Sequence, residues 1–227
     1  MRNVVMKSVL AVAVLFTVTG CSRFFIQKDA YLAVKRVAVV QHAINPHLLL
    51  GTANVAEAKT QTAEENVKTF VKEFTGGTYE VVSLDELKAN PAYAAVGTPS
   101  LDGYYTAPGM RFVTGEETVE EATLTPDQAK KLAEDLKVDA VAVVYESWGT
   151  APYALGFKAK AYSTFVVNMY DKTGVRVWGD VAAGESDEGM ATPGGIIATE
   201  LSNLVLNFNQ SYAAALAKMK SQLASIK

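Results

Sequence analysis

The sequence contains one cysteine, two histidines and no excess of basic residues among its 227 positions. Because Cys21 is the single cysteine, a disulfide bond within the chain is excluded. The 21 Lys and Arg residues are outnumbered by 24 Asp and Glu residues, which gives a formal charge of -3. A protein that binds nucleic acid needs a clustered excess of Lys and Arg to contact phosphates. We therefore expect no nucleic-acid partner.

The chain also lacks an apolar run long enough for a transmembrane helix at its amino terminus. The run from Val9 to Val18 has about ten residues, whereas a helix needs ~20 to cross a bilayer. Arg2 and Lys7 precede the run, which is the pattern of an export signal. It ends in Val18-Thr19-Gly20-Cys21, which resembles the bacterial lipobox. In that motif the cysteine receives a diacylglyceryl group and the chain is cut just before it.

This resemblance predicts a lipid anchor at Cys21 and sets the expected domain boundaries. We expect residues 1–20 to be a signal peptide, 21–33 the anchor and a short tether, and 34–227 a single periplasmic domain. A tether of about twelve residues would keep the domain within ~40 Å of the lipid. Two or three acyl chains would hold the protein stably on a membrane. An ordinary secretory signal that ends in a chance cysteine is the alternative.

The residue after the cysteine indicates which membrane would hold the lipid anchor. Ser22 is unlike the Asp-type signal that retains lipoproteins in the inner membrane. By this resemblance we expect the outer membrane, with the protein on the inner leaflet and facing the periplasm. Removal of the signal peptide leaves 19 Lys and Arg residues against 24 Asp and Glu residues, so the mature domain is acidic.

The mature chain has the apolar content and the periodicity of a folded α/β domain. Hydrophobic residues make up 49% of the sequence, which is enough to bury a core. Strands are predicted at 34–41, 79–82, 139–148, 157–170 and 175–183. Helices are predicted at 63–74, 83–89, 125–136 and from about 192 to 223. The order predicts a mixed sheet of about five strands, with amphipathic helices packed on it and a long carboxyl-terminal helix.

A long loop at about 95–124 interrupts this order. It has no period and contains many glycine and proline residues. Loops of this length are uncommon in compact domains and are often functional. Aromatic, methionine and arginine residues are enriched at protein interfaces. The predicted partner-binding residues of this loop are Tyr104, Tyr105, Met110, Arg111 and Phe112. The alternative is a loop that packs on its own domain.

Motifs for catalysis and metal binding are weak. His42 and His47 are predicted to be plain loop residues after the first mature strand, because no cysteine or acidic residue accompanies them before Glu57. Ser147 follows a strand, but it lacks the first glycine of a Gly-x-Ser-x-Gly elbow and the helix that should follow. We expect no catalytic residue, no metal, no cofactor and no enzymatic activity.

Three short motifs resemble a known family. They are Val138-Asp139-Ala140-Val141 leading to Glu146-Ser147-Trp148-Gly149, then Tyr170-Asp171-Lys172-Thr173-Gly174, and Val177-Trp178-Gly179. Over most of residues 34–224 the chain resembles the GNA1162-like lipoproteins. These belong to the wider fold group of the CsgG curli secretion lipoprotein, the TolB amino-terminal domain and the LpoB synthase activator. The resemblance implies a non-catalytic periplasmic lipoprotein that contacts other envelope proteins, and it leaves a homo-oligomer open.

The sequence is compatible with two functions. The first is a lipid-anchored protein-interaction or assembly module in a secretion, transport or surface-assembly system, in which the loop and the carboxyl-terminal helix make the contacts. The second is a periplasmic lipoprotein that binds a small molecule or a glycan. Its candidate contact residues are the aromatics Tyr145, Trp148, Tyr153, Tyr162 and Trp178.

Overall fold

The computed structural model describes residues 25–46, 61–62, 65–66, 69–70, 73, 79–91, 105–106, 124–153, 158–191 and 200–226. Its elements are β1 (Phe25–Ile26), α1 (Lys28–Ala33), β2 (Arg36–Pro46), β3 (Glu80–Val81), α2 (Leu84–Ala89), β4 (Tyr105–Thr106), α3 (Pro126–Leu136), β5 (Ala140–Tyr153), β6 (Lys158–Asp171), β7 (Arg176–Ala191) and α4 (Leu201–Ala224). Residues 61, 62, 65, 66, 69, 70 and 73 are also helical, and we call them the Gln61 helix. No helix in these ranges is long and apolar enough to cross a membrane.

The seven strands form one mixed sheet. Its order is β1-β7-β6-β5-β2-β3, and β4 pairs with β2 next to this path. β2 is parallel to β3 and β5, whereas the other pairs are antiparallel. The predicted α/β class, with helices on a mixed sheet and a long carboxyl-terminal helix, is confirmed. β1 and β4 are additional strands of two residues each, which are too short to show an alternating pattern in the sequence.

Local sequence signals determine where two of the helices begin. The Thr125 hydroxyl accepts the Gln128 N–H at 3.3 Å, and the Gln128 side chain accepts the Thr125 N–H at 3.0 Å. The two bonds form the predicted capping box of α3. At α2, Ser83 accepts the N–H of Glu86 at 3.2 Å. Each bond satisfies an N–H group that the first helical turn leaves without a partner.

The turn between β6 and β7 is also encoded locally. Asp171 Oδ1 accepts the N–H of Thr173 at 2.9 Å and the N–H of Val175 at 3.1 Å. Gly174 has a φ of 85°, a left-handed conformation that glycine adopts without strain. The predicted antiparallel hairpin is confirmed, and its turn depends on one aspartate and one glycine.

Three strands continue beyond their predicted ends at residues 41, 148 and 183. β2 ends at Pro46, β5 at Tyr153 and β7 at Ala191. The sequence predicts an earlier end of β5 because the glycine and proline that follow Trp148 are typical of a turn. In the structure β5 stays paired with β6 to its last residue, where Tyr153 lies opposite Lys158. Pairing with a long neighbouring strand outweighs local turn preference here.

The long carboxyl-terminal helix starts later than the sequence predicts. α4 begins at Leu201, because the residue before it, Glu200, has an extended conformation with ψ of 151°. Its 24 residues span ~36 Å at 1.5 Å per residue. The predicted start near residue 192 falls in 192–199, which lies outside the described residues.

Two hydrophobic clusters cover the sheet, and each lies mainly on one face. Along β5, Val141 and Val143 belong to the first cluster, whereas Ala140, Ala142 and Val144 belong to the second. This is the alternation that a strand buried on both faces requires. The first cluster includes α3, Leu87 of α2 and the amino-terminal half of α4. The second includes residues of α1, the Gln61 helix and the carboxyl-terminal half of α4.

Part of the predicted tether, residues 21–33, is folded. β1 pairs with β7, so that Phe25 lies opposite Gly179. Tyr31 of α1 is 5% exposed, and its ring meets Trp178 edge-on at a centroid distance of 5.8 Å. The chain therefore enters the fold at Phe25 instead of at residue 34, and Cys21 is four residues from the sheet.

Candidate functional site

The residues predicted as functional sites lie almost entirely outside the described part of the chain. Cys21 and the loop residues Tyr104, Met110, Arg111 and Phe112 are not described. Tyr105 is in β4, whose backbone places it opposite Ile44 of β2. This pairing places one point of the loop beside the sheet. The lipidation of Cys21 and the partner-binding role of the five loop residues remain predictions.

A polar cluster that the sequence did not predict lies between the sheet and two helices. Its centre is Glu146 of β5, whose side chain is fully buried. Trp148 Nε1 donates to Glu146 Oε1 at 2.8 Å, and Asn66 Nδ2 donates to Oε2 at 2.6 Å. His42 of β2 is also fully buried, and its Nε2 lies 3.5 Å from Glu146 Oε2. The cluster therefore holds a carboxylate between two N–H donors and an imidazole.

The prediction that His42 is a loop residue is wrong. β2 continues past residue 41, and its register places His42 opposite Val144 on β5. The pairing with β5 shifts between Val39 and Gln41, so the side chains after this irregularity change their alternation. His42 thereby turns toward the buried face on which Glu146 also lies.

The Gln61 helix contributes one buried stripe to this cluster. Thr62, Asn66 and Phe70 are spaced by four residues, and none is more than 2% exposed. Residues at this spacing lie on one face of a helix. Phe70 belongs to the second hydrophobic cluster. The polar residues Thr62 and Asn66 were missed, because apolar periodicity does not detect polar side chains on a buried face.

Several polar atoms of the cluster have no hydrogen bond among the described residues. They are both ring nitrogens of His42, the Thr62 hydroxyl and the Tyr212 hydroxyl. Burial, and secondarily the charge of Glu146, raises the pKa of Tyr212 well above its usual value. Tyr212 therefore remains a neutral phenol, with its ring centroid 6.1 Å from that of His42.

The geometry of the cluster favours a structural role. Glu, His and Tyr are common acid–base residues, but these three side chains are completely buried and face no surface that a substrate could reach. The cluster instead joins β2, β5, the Gln61 helix and α4. Trp148 also stacks on Phe208 of α4 at a centroid distance of 4.2 Å. These contacts fix both helices on the same region of the sheet.

A cleft of about 320 Å³ lies between the Gln61 helix and α4. Its lining begins at Thr69, three residues after Asn66, on the Gln61 helix and at Ala213, next to Tyr212, on α4. The ammonium group of Lys220 pairs with the carboxylate of Glu73 at this cleft. Its lining residues are Thr69, Glu73, Ala213, Leu216, Ala217 and Lys220. The cleft therefore offers small and apolar side chains next to one ion pair.

A second buried carboxyl group, that of Asp180 in β7, lies beside the carboxyl-terminal end of α4. Burial raises the pKa of Asp180 to about 7, although the N–H of Val181 donates to it at 2.8 Å and acts in the opposite direction. The side-chain amide of Gln222 lies 2.5 and 2.7 Å from the two carboxyl oxygens, and its nitrogen can donate to both. Asp180 and Gln222 thereby join β7 to the last turns of α4.

The aromatic residues proposed for ligand binding do not form one surface. Trp148, Trp178 and Tyr145 are at most 5% exposed and belong to the core. Tyr162 is 36% exposed on β6, and the side chain of Tyr153 lies outside the described residues. The described aromatics therefore give no support to the second function considered above.

The surroundings of Ser147 and of the two histidines do not show the geometry of a catalytic elbow or a metal site in the described residues. Ser147 lies inside β5 and opposite Thr164 of β6, so no strand-to-helix elbow is present at this position. In the described ranges, no three His, Cys, Asp or Glu residues come together as metal ligands. His47 lies outside those ranges.

No protein-family model matches the chain, and no curated protein matches it. Similar solved structures include the lipoprotein GNA1162 from Neisseria meningitidis, with 14% identity, 84% of this chain and 99% of that chain covered, and a TM-score of 0.41. The hypothetical protein CT253 from Chlamydia trachomatis has 9% identity, coverage of 86% and 98%, and a TM-score of 0.43. The LpoB C-terminal domain from Salmonella enterica has 14% identity, coverage of 66% and 81%, and a TM-score of 0.34. GNA1162 and LpoB are also named in the resemblance that the sequence motifs suggest.

Proposed function

We propose that this protein is a lipid-anchored envelope lipoprotein that acts as a non-catalytic protein-interaction or assembly module in a secretion, transport or surface-assembly system. The observation that carries the proposal is the amino-terminal sequence, in which a basic segment and an apolar run end at Val18-Thr19-Gly20-Cys21. The anchor lies in the outer membrane, and the domain faces the periplasm. The lone cysteine has no other evident use.

The organisation of the described fold supports an interaction role. Its main buried polar groups join helices to the sheet, and they leave no acid–base pair open to a substrate. The Gln61 helix and α4 also form a surface cleft, which is concave enough to receive a segment of another protein. Leu206 on α4 is 51% exposed, so this helix also presents an apolar side chain to solvent.

The partners are other envelope proteins, and a second copy of the chain is among them if the protein forms a homo-oligomer. The contact residues proposed from the loop are Tyr104, Tyr105, Met110, Arg111 and Phe112. β4 supports this assignment in one respect, because its pairing with β2 brings Tyr105 beside the edge of the sheet.

Crosslinking in intact cells, followed by affinity purification from solubilised membranes, tests this proposal. We expect a complex of defined mass with the natural sequence, and a several-fold lower yield when the five loop residues are all replaced by serine. Tyr162→Ser is the matched control, because Tyr162 is an exposed aromatic on β6 away from the loop. Thermal melting of each variant checks that its fold is retained.

Two outcomes would contradict the proposal at different levels. Equal recovery of the complex from the loop variant would remove the loop as the contact region. Recovery of the protein only as an uncrosslinked monomer would contradict the interaction module itself.

A further inference from the structure

The outward face of α4 carries no charged side chain over most of its length. From Leu201 to Ala217 the sequence contains no Asp, Glu, Lys or Arg residue, although 20% of the whole chain is charged. Leu206 on this face is 51% exposed, the largest value among the large hydrophobic residues that the structure describes. The other exposed residues of this stretch are also neutral, namely Ser202, Asn203, Ala213 and Ala217. Depletion of charged residues is a compositional mark of the centre of a protein interface.

The exposed leucine and the α4 cleft lie on one line along the helix. Leu206, Ala213 and Ala217 are spaced by seven and four positions, which places them within about 40° of one another around the helix axis. Ala213 and Ala217 line the cleft, whereas Leu206 does not. At 1.5 Å per residue, Leu206 lies ~16 Å from Ala217 along the axis. α4 thus presents one protruding apolar side chain and one recess, both on its outward face.

A two-fold axis perpendicular to α4 makes this face complementary to itself. An axis midway between Leu206 and Ala217 brings Leu206 of each copy opposite Ala217 of the other. Each leucine then enters the cleft of the second copy, as a knob enters a hole in the packing of two helices. The two α4 helices run antiparallel and overlap over almost their full length. Because both copies use the same patch, the contact closes at a dimer.

The charges at the two ends of α4 also fit an antiparallel pair. Glu200 is exposed just before the helix, and Lys220 is exposed in its carboxyl-terminal part. In this arrangement Glu200 of one copy lies opposite Leu223 of the other, within one turn of Lys220. Lys220 then lies between that carboxylate and Glu73 of its own chain, with which it pairs. Antiparallel packing also places the positive end of each helix dipole beside the negative end of the other.

We infer that the protein forms a dimer through this face, in which Leu206 of each copy is seated in the α4 cleft of the other. The inference deepens the proposed interaction role by naming a second copy of this chain as a partner. It rests on that role, but it does not require the lipid anchor. The α4 face is thereby assigned to self-contact, and contact with other envelope proteins is left to other surfaces.

Sedimentation equilibrium of the mature chain carrying Cys21→Ser tests this dimer. We expect a reversible dimer whose dissociation constant rises by about tenfold or more in Leu206→Lys, because an ammonium group would have to enter the cleft beside Lys220. Val175→Lys is the matched control, since Val175 is an exposed apolar residue in the β6–β7 turn, and it should leave the dissociation constant unchanged. Ala217→Lys changes the cleft instead of the leucine and should weaken the dimer to a similar extent.

Disulfide formation tests the antiparallel geometry. In the Cys21→Ser chain, Leu206→Cys and Ala217→Cys together should crosslink two copies on oxidation, because the two thiols meet across the contact. Neither single variant should crosslink at a comparable rate. Equal positions lie ~16 Å apart along the paired helices, beyond the ~7 Å between Cα atoms that a disulfide can span. Crosslinking of Leu206→Cys alone as fast as the double variant would contradict the arrangement.

The result that would overturn the inference is distinct from failure of the proposed function. A chain that stays monomeric at every concentration measured, or a dimer that neither Leu206→Lys nor Ala217→Lys weakens, would overturn the α4 dimer. A monomeric protein that is still recovered in an envelope complex after crosslinking in cells would leave the interaction module intact. If Leu206→Lys then lowers the yield of that complex, the α4 face binds another envelope protein instead of a second copy.

Discussion

Replacing Glu146 with alanine is expected to lower the free energy of unfolding by about 3–5 kcal/mol, because two buried N–H donors each lose their acceptor at about 1–3 kcal/mol and a cavity remains where the side chain was. The substitution leaves the N–H groups of Asn66 and Trp148 buried without their acceptor. It also removes the carboxylate that faces His42. Urea unfolding of the mature chain carrying Cys21→Ser, which cannot be acylated, measures this change.

Two control variants separate the lost hydrogen bonds from other effects. Glu146→Gln keeps the shape and one acceptor oxygen, so it should cost about 1–3 kcal/mol, as expected for one buried donor left unpaired. Glu185→Ala removes an exposed carboxylate from β7 and should change stability by no more than about 0.5 kcal/mol. A Glu146→Ala protein as stable as the Glu185→Ala protein would contradict the role assigned to the buried cluster.

Replacing Gly184 with valine is expected to lower the free energy of unfolding by about 3 kcal/mol, at the upper end of the usual cost of overpacking a core. A Cβ atom at this position would overlap the Ser211 carbonyl oxygen and the Ala215 backbone nitrogen of α4. These are backbone atoms, so no rotation of a side chain can make room. Either the helix moves away from β7 or the strand shifts, and both separate core residues. Urea unfolding measures the loss.

The matched control for this prediction is another glycine of the sheet. A Cβ atom at Gly149 of β5 would meet no atom within 4 Å. Gly149→Ala should therefore leave stability unchanged or raise it slightly, since alanine restricts the unfolded chain. If Gly184→Val and Gly149→Ala had equal stability, the close contact between β7 and α4 would not exist in solution.

Much of the fold could be predicted because its signals are local. The five longer strands have dense apolar residues, and α3 begins with a complete capping box at Thr125 and Gln128. The β6–β7 turn likewise contains its aspartate and its glycine within five residues. In these places the side chains that determine the conformation are neighbours in sequence, so a single chain shows them.

The buried cluster could not be predicted because its members are distant in sequence. His42, Asn66, Glu146 and Tyr212 come from four elements that meet only in the folded chain. His42 and Asn66 are polar, and a search for apolar periodicity assigns such residues to loops or to a solvated helix face. The available signal was Glu146, a charged residue within an otherwise apolar strand, which needs buried partners.

The strand ends and the tether were misjudged for a related reason. Polar residues, glycine and proline end a strand when its edge is exposed to water, but neighbouring strands can extend it by pairing. β5 continues because β6 pairs with it along its full length. β1 forms on the edge of β7 with only two residues, and α1 is held by Tyr31 in the core. None of these partners can be identified from the local sequence.

The mass of the amino-terminal peptide of the protein purified from membranes tests the central claim most directly. We predict a peptide that begins at Cys21 and carries a diacylglyceryl group, with or without a fatty acid on the new amino terminus. Cys21→Ala should abolish the modification and the cleavage before residue 21. A peptide from natural protein with an unmodified thiol at Cys21, recovered from protein that is freely soluble, would contradict the account.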